Sequence, residues 1–401
     1  MNKKNTLETL QRDIDIPDIV QKKANETFDA IRERKFEVRE NTSIIPSGDR
    51  RFKKTSKFPK RRIAVVAALT TLTLATVSAA AAYLNWSKSL SEGLQATEDQ
   101  IVQLEESHMS TFVNQACTDQ GITVTAVQSI TDNYYTHIAF KVEGFEVEDG
   151  VQPEFETFKV TVDGREDINS GSSFYNGLIQ GPDGIAINAD GSPLDVDENG
   201  VFIEHYTMED GSMEYQVTLS NSEEKGFFIN KPIHVEFQNL GTVYKAEYTN
   251  EINGTWTFDW NLQGDEDMKE CTINVPLGDT NATVLKAELS PISLRAEYEF
   301  PRKEITETAL DENGEEITVR FYEEPPMLSG VKMKDGTIYP FLYMGPGSEG
   351  YMSEESERYM TAFAIDRIID VDQVESLLFL KSYTDSEEPP TEENFYVVPI
   401  Q

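Results

Sequence analysis

The chain has 401 residues, room for two or three domains, with 35 Lys and Arg against 71 Asp and Glu. A net charge of −36 excludes the protein as a whole from nucleic-acid binding, which needs Lys and Arg clustered against phosphate. The charge is divided. Residues 1–62 hold 17 basic and 10 acidic residues, a net of +7, so residues 63–401 hold 18 and 61, a net of −43. Such a split points to two environments for one chain.

The tail, residues 1–62, is too short to build much of a core. Within it, "IPDIVQKKANETFDAIRERK" predicts an amphipathic helix over 16–35. Pro17 suits the first helical turn, and Asp15 and Asp18 suit the positive end of a helix dipole. Ile16, Ile19, Val20, Ala24, Phe28 and Ile31 fall on one face at helical spacing. Such a face either lies on a lipid surface or waits for a groove in a partner. Residues 36–60, with Pro46, Gly48 and Pro59 among charges, read as a linker.

Ile63 to Leu84 is a run of 22 uncharged residues. As a helix it would reach roughly 33 Å, enough to cross a hydrocarbon core. Three readings compete: a buried soluble helix, a signal peptide and a membrane span. The run shows no polar face, and a basic leader of 62 residues is too long for a signal peptide, although "VSAAAAYL" is compatible with cleavage. A single transmembrane helix over 63–84 fits best, with Trp86 at its outer interface. Lys53, Lys54, Lys57, Lys60, Arg61 and Arg62 precede the run, and only Lys88 follows closely. The positive-inside rule then places the amino terminus in the cytoplasm and the acidic bulk outside.

Residues 85–115 read as a helical stalk. Thr97 and Gln100 form a capping-box pattern, followed by Ile101, Leu104, Met109 and Phe112. Beyond Gly121 the apolar period becomes two. Tyr134, Thr136, Ile138, Phe140 and Val142 point one way, with Tyr135, His137, Lys141 and Glu143 on the polar side. The alternation returns in Phe158/Val160/Val162, Tyr215/Val217/Leu219, Ile233/Val235/Phe237, Trp256/Phe258/Trp260/Leu262, Leu285/Ala287/Leu289, Ile292/Leu294/Tyr298 and Ile317/Val319/Phe321. Asp163-Gly164, Asn199-Gly200, Asn313-Gly314 and Asp335-Gly336 supply turns between strands. The fold class is therefore mainly β, as antiparallel sandwiches. Nearly 300 residues exceed one sandwich, and the acidic "GDEDMKE" at 264–270 marks a break, giving domains over 116–265 and 266–401.

This layout resembles the membrane-anchored, anti-sigma-factor-like proteins of Gram-positive bacteria, whose outer part is a domain of unknown function. The resemblance is carried by "IPDIVQKKANETFDAI", the run at 63–84, "GITVTAVQSITDNYYTHIAFKVEG" at 121–144, "HVEFQNLG" with "GTWTFDWNL", and "ATVLKAELSPISLRAEYEF" at 282–300. It implies immunoglobulin-like outer domains and a tail that restrains an extracytoplasmic-function sigma factor. The zinc-binding anti-sigma fold uses His and paired Cys in the tail. Residues 1–62 contain neither, which excludes zinc or redox control there.

Local motifs carry little chemistry. "DVDENG" from Asp195 begins like a calcium loop, but position 12 is Tyr206, so a hairpin loop is expected. "GPGSEG" at 345–350 has glycine-loop spacing without a βαβ frame and reads as a plain loop. His108, His137, His205 and His234 form no zinc-protease pattern. No catalytic residue, cofactor or metal site is expected, and the external ligand is open. Cys117 and Cys271 lie beyond the span, where an even count permits a disulfide or leaves two free thiols. Two functions remain: a single-pass anti-sigma signalling protein, or a membrane-tethered binding protein with a passive tail.

The topology is testable on intact cells. In a chain carrying Cys117→Ser and Cys271→Ser, an impermeant thiol reagent should label Ser91→Cys and miss Ser43→Cys. Reversed labelling would overturn the orientation.

Overall fold

The computed structural model describes residues 86–400, apart from 182–184, 199, 201, 245, 311–315 and 382–389. The run at 63–84 and the tail stripe from Ile16 to Ile31 lie outside the described residues, among which no helix is long and apolar enough to cross a membrane. The described residues belong to one compact unit.

The unit opens with a connector of two short helices, α1 (Lys88–Gly93) and α2 (Glu98–Glu106). Thr97 caps α2: Gln100 N donates to Thr97 Oγ1 at 3.4 Å, and Thr97 N donates to Gln100 Oε1 at 2.9 Å. Helix does not continue to 115. Strand β1 (Ser110–Asp119) starts instead, because "STFVNQACTD" pairs along β2 (Ile122–Thr131).

The first half has two antiparallel sheets. One orders β1, β2, β3 (Tyr135–Glu143), β8 (Met213–Ser220) and β5 (Asn169–Phe174). The other orders β10 (Glu247–Asn261), β9 (Pro232–Tyr244) and β4 (Gln152–Val162), and β6 (Leu178–Gln180) with β7 (Ala186–Asn188) makes a small ribbon. Both sheets contribute to one core. Phe237 is its hub, with ring centroids 4.8 Å from Phe140, 4.5 Å from Phe155 and 5.5 Å from Tyr215. Such ring pairs add about 0.5–1.5 kcal/mol each beyond area burial.

The second half repeats the plan. One sheet orders β11 (Lys269–Pro276), β12 (Thr283–Leu289), β13 (Ser293–Glu299), β19 (Arg358–Ile365) and β18 (Tyr343–Tyr351). The other orders β17 (Ile338–Tyr339), β16 (Leu328–Met333), β20 (Val374–Leu380) and β21 (Phe395–Pro399). They share a second core that includes Tyr298, Phe363 and Phe379. A separate hairpin, β14 (Glu304–Leu310) and β15 (Glu316–Tyr322), pairs only with itself.

Two expectations change. The inward set of β12 is Val284, Ala287 and Leu289 rather than Leu285, Ala287 and Leu289. A register shift between Val284 and Lys286 inserts Leu285 as an extra residue and resets the phase. "GPGSEG" is not a loop but part of β18, paired to β19 across a shift between Met344 and Gly347. A Cβ on Gly347 would stand 2.7 Å from the Tyr343 ring and 3.2 Å from the Ala362 carbonyl oxygen, so close packing requires that glycine.

The largest departure is β3. Ile138, Phe140 and Val142 enter the first core as their period requires. Tyr135 and His137, read as a polar side, are also buried, at 0% and 1% exposure. A third apolar cluster covers that face. It draws Trp86, Leu90, Leu94, Ile101 and Leu104 from the connector and Ile292, Ala362, Ala364 and Ile368 from the second half. Burying each such Leu or Ile contributes about 1.5–3 kcal/mol. Lys141 and Glu143, farther along β3, do reach water.

Candidate functional site

The place where connector, first half and second half meet has the highest density of buried charge in the described residues. Glu214 on β8 is 6% exposed and lies at the start of α1. Its Oε2 accepts from Ser87 Oγ at 2.5 Å and from Ser89 N at 2.7 Å, and its Oε1 accepts from Lys88 N at 3.1 Å. The first N–H groups of a helix have no partner within it, so this carboxylate completes α1. Gln216, two residues along β8, donates Nε2 to Ser89 O at 2.7 Å, and Tyr175 OH donates to Glu92 at 3.2 Å. The second half holds the other side: Ile368 N donates to Leu94 O at 2.7 Å, and Gln100 Nε2 donates to Ile368 O at 2.9 Å.

Asp132, in the β2–β3 turn, is fully buried. One carboxylate oxygen accepts from Tyr134 N at 2.8 Å and Tyr135 N at 2.7 Å, and the other accepts from the hydroxyls of Ser290 and Ser293. Two hydroxyls of the second half thus close on a turn of the first. Burial pushes the Asp132 carboxyl up, and the four donors pull it the other way. Nearby, Glu288 is 1% exposed and Arg295 is 7% exposed, joined Nη1 to Oε2 at 2.7 Å. Tyr134 OH donates to Glu288 at 3.1 Å, and the guanidinium lies 5.4 Å from the Tyr134 ring centre. Burial raises the Glu288 carboxyl, but Arg295, Lys286 and Lys225 more than offset this and hold it below the ordinary range. Lys225, from the first half, reaches both Glu270 and Glu288.

His137 sits in the same layer, its Nδ1 3.0 Å from Thr218 Oγ1 and its Nε2 without a hydrogen-bond partner among the described residues. Burial lowers its pKa to about 4. A cavity of about 210 Å³ opens beside α1, with Gly93, Tyr175, Glu204, Tyr206 and Gln216 among its walls. Two of these walls, Tyr175 and Gln216, are side chains that hold α1.

The residues singled out from sequence are distributed elsewhere. Ile16, Ile19, Val20, Ala24, Phe28 and Ile31 lie outside the described residues. Cys117 on β1 and Cys271 on β11 are both free in the structure. Cys117 pairs in register with Val124 and Cys271 with Ala287, each against its own half's core. Asp195 meets His205 at 2.9 Å, and Val196 bridges Phe202 across the turn, so that carboxylate serves a loop. His234 pairs with Asp259 at 2.8 Å at the surface. Glu214, Asp132 and the Glu288–Arg295 pair escaped sequence reading because their alternation matches a solvent face. "TDNYY" offered only a turn signal.

Residues 53–144 match the family described as Domain of unknown function (DUF4179). That segment runs from the basic flank through the apolar run and connector to the end of β3. No curated protein matches the chain. Among solved structures, "The crystal structure of the conserved domain protein from Bacillus anthracis" is similar at 13% identity with a TM-score of 0.36, over 79% of this chain and 94% of that one.

Two outcomes follow for the junction. Glu214→Ala should lower stability by about 2–4 kcal/mol, since it strips three donors of a charged acceptor. In hydrogen-exchange mass spectrometry, amides 88–94 should exchange at least about tenfold faster while β9 and β10 stay protected. His137 gives a pH signature. Its folded pKa near 4 lies below the unfolded 6.5, so its contribution is complete above about pH 6.5 and is lost as pH falls toward 4. The loss amounts to about 3 kcal/mol. Asp132 and Asp366, raised by burial above 3.8, act in the opposite sense, adding stability as pH falls through their raised values toward 3.8. Urea unfolding of the wild type minus that of His137→Gln should isolate the histidine slope.

Proposed function

We propose that the protein is a non-enzymatic, single-pass membrane signalling protein. Its amino-terminal tail restrains a cytoplasmic extracytoplasmic-function sigma factor, and its β unit outside the membrane passes an envelope signal to that tail. In this reading the two sheet pairs are immunoglobulin-like sandwiches, and 63–84 is the span.

The seating of the connector carries the reading. Trp86 stands two positions after the apolar run, and from there to Met109 the connector buries Trp86, Leu90, Leu94, Ile101, Leu104 and Met109 in the β unit's third apolar cluster. A passive tether would be a solvated linker with slack. Here the segment beside the proposed span is wedged between two β halves and completed by the Glu214 carboxylate. Any rearrangement of the halves must therefore act on residues adjoining the span. The charge division, +7 before the run and −43 from it onward, supports the orientation.

On the inside, Phe28 is the largest apolar side chain of the stripe Ile16, Ile19, Val20, Ala24, Phe28 and Ile31. A helix of about four turns is marginal alone in water and gains stability when a groove accepts its apolar face. Phe28→Asp should raise transcription from the partner sigma factor's promoters to the level of a gene deletion, as read by a reporter. Peptide 10–40 should gain helicity on mixing with that sigma factor. Unchanged transcription in both strains would sink the anti-sigma reading and leave a tethered binding protein.

A further inference from the structure

The β14–β15 hairpin is the one β element among the described residues whose apolar side chains lie on the surface in a row. Ile317, Val319 and Phe321 are 43%, 37% and 40% exposed, and they share one face of β15. A two-stranded ribbon is marginal in water, and a free edge without Pro, Lys or a bulge invites another strand. The root of the ribbon is nonetheless fixed. The Arg302 guanidinium lies 5.2 Å from the Tyr322 ring centre and 4.2 Å from that of Tyr351. Its Nε donates to Ser356 O at 3.2 Å, and Glu323 N donates to Lys303 O at 2.9 Å.

Its two edges differ in what they accept. If β15 pairs antiparallel with its own copy over its full length, Val319 meets Val319, Ile317 meets Phe321, and Thr318 meets Arg320. The first two are apolar pairs of the kind that stabilise sheets, and no like charges meet. The same operation on β14 sets Glu307 directly against Glu307, a like-charge pair that opposes pairing. Only the β15 edge is self-complementary. We infer that the β15 edge is the interface of a two-fold homodimer, in which two arms join into one four-stranded sheet ordered β14–β15–β15–β14.

This contact is closed and isologous, so it ends at two copies. The acidic surfaces of the two units repel one another, so the dimer should strengthen as salt screens them, the reverse of an association driven by opposite charge.

The test uses the full chain in detergent. In an antiparallel pair, Cα atoms are about 4.5–5.5 Å apart, within disulfide reach. Under mild oxidation Val319→Cys should give a covalent dimer absent from the unsubstituted chain. The Thr306→Cys/Thr308→Cys double variant, which reports β14 pairing, should give none. Val319→Glu should abolish the dimer in light scattering without changing the thermal melt of the monomer. Mixing Val319→Glu with Val319→Lys copies should restore a heterodimer. A chain that stays monomeric at every salt and protein concentration would overturn the inference. So would cross-linking through β14, or a dimer indifferent to Val319→Glu.

Discussion

The unit depends on one constraint: the second face of β3 must be covered. Tyr135, His137 and Ala139 point away from the first core, and water is excluded from them by Leu90, Leu94, Ile101 and Leu104 on one side and Ala362, Ala364 and Ile368 on the other. A strand buried on both faces cannot sit at the surface of an isolated sandwich. The connector and the second half are therefore not appendages of the first. Removing either would expose the apolar side chains of the third cluster that now cover Tyr135 and Ala139.

The same junction solves a charge problem. From residue 63 onward, acidic residues exceed basic ones by 61 to 18, so few buried carboxylates can find a cation. Glu214 and Asp132 are held instead by backbone N–H groups and serine hydroxyls, which satisfy a carboxylate without burying a second charge. Glu288 takes the other solution and shares Arg295 and two lysines. A buried pair of this kind adds little net stability while whole, but breaking it costs about 3–5 kcal/mol. The junction thus opposes partial opening more strongly than it favours folding.

Rigidity and exposure are divided accordingly. The connector side is dense in buried hydrogen bonds and joins the two halves. The β14–β15 arm carries its apolar residues outward, and its root alone is pinned, by Arg302 between two tyrosines.

Periodicity and turn chemistry sufficed for the mainly β class, for the strands through Phe237, Trp256 and Ile317, and for the Thr97–Gln100 cap, because each is decided within ten residues of chain. The tertiary structure alone decided which polar residues of an alternating strand are buried. Alternation gives two faces, but not whether a segment 40 or 150 residues away lies over the second one. It also decided the phase of β12, since one inserted residue at Leu285 leaves the composition of the strand unchanged. Glu214 and Asp132 look like surface carboxylates in a chain full of them. Their roles exist only because the start of a helix 125 residues away reaches Glu214, and because Ser290 and Ser293, 158 and 161 residues away, close on Asp132.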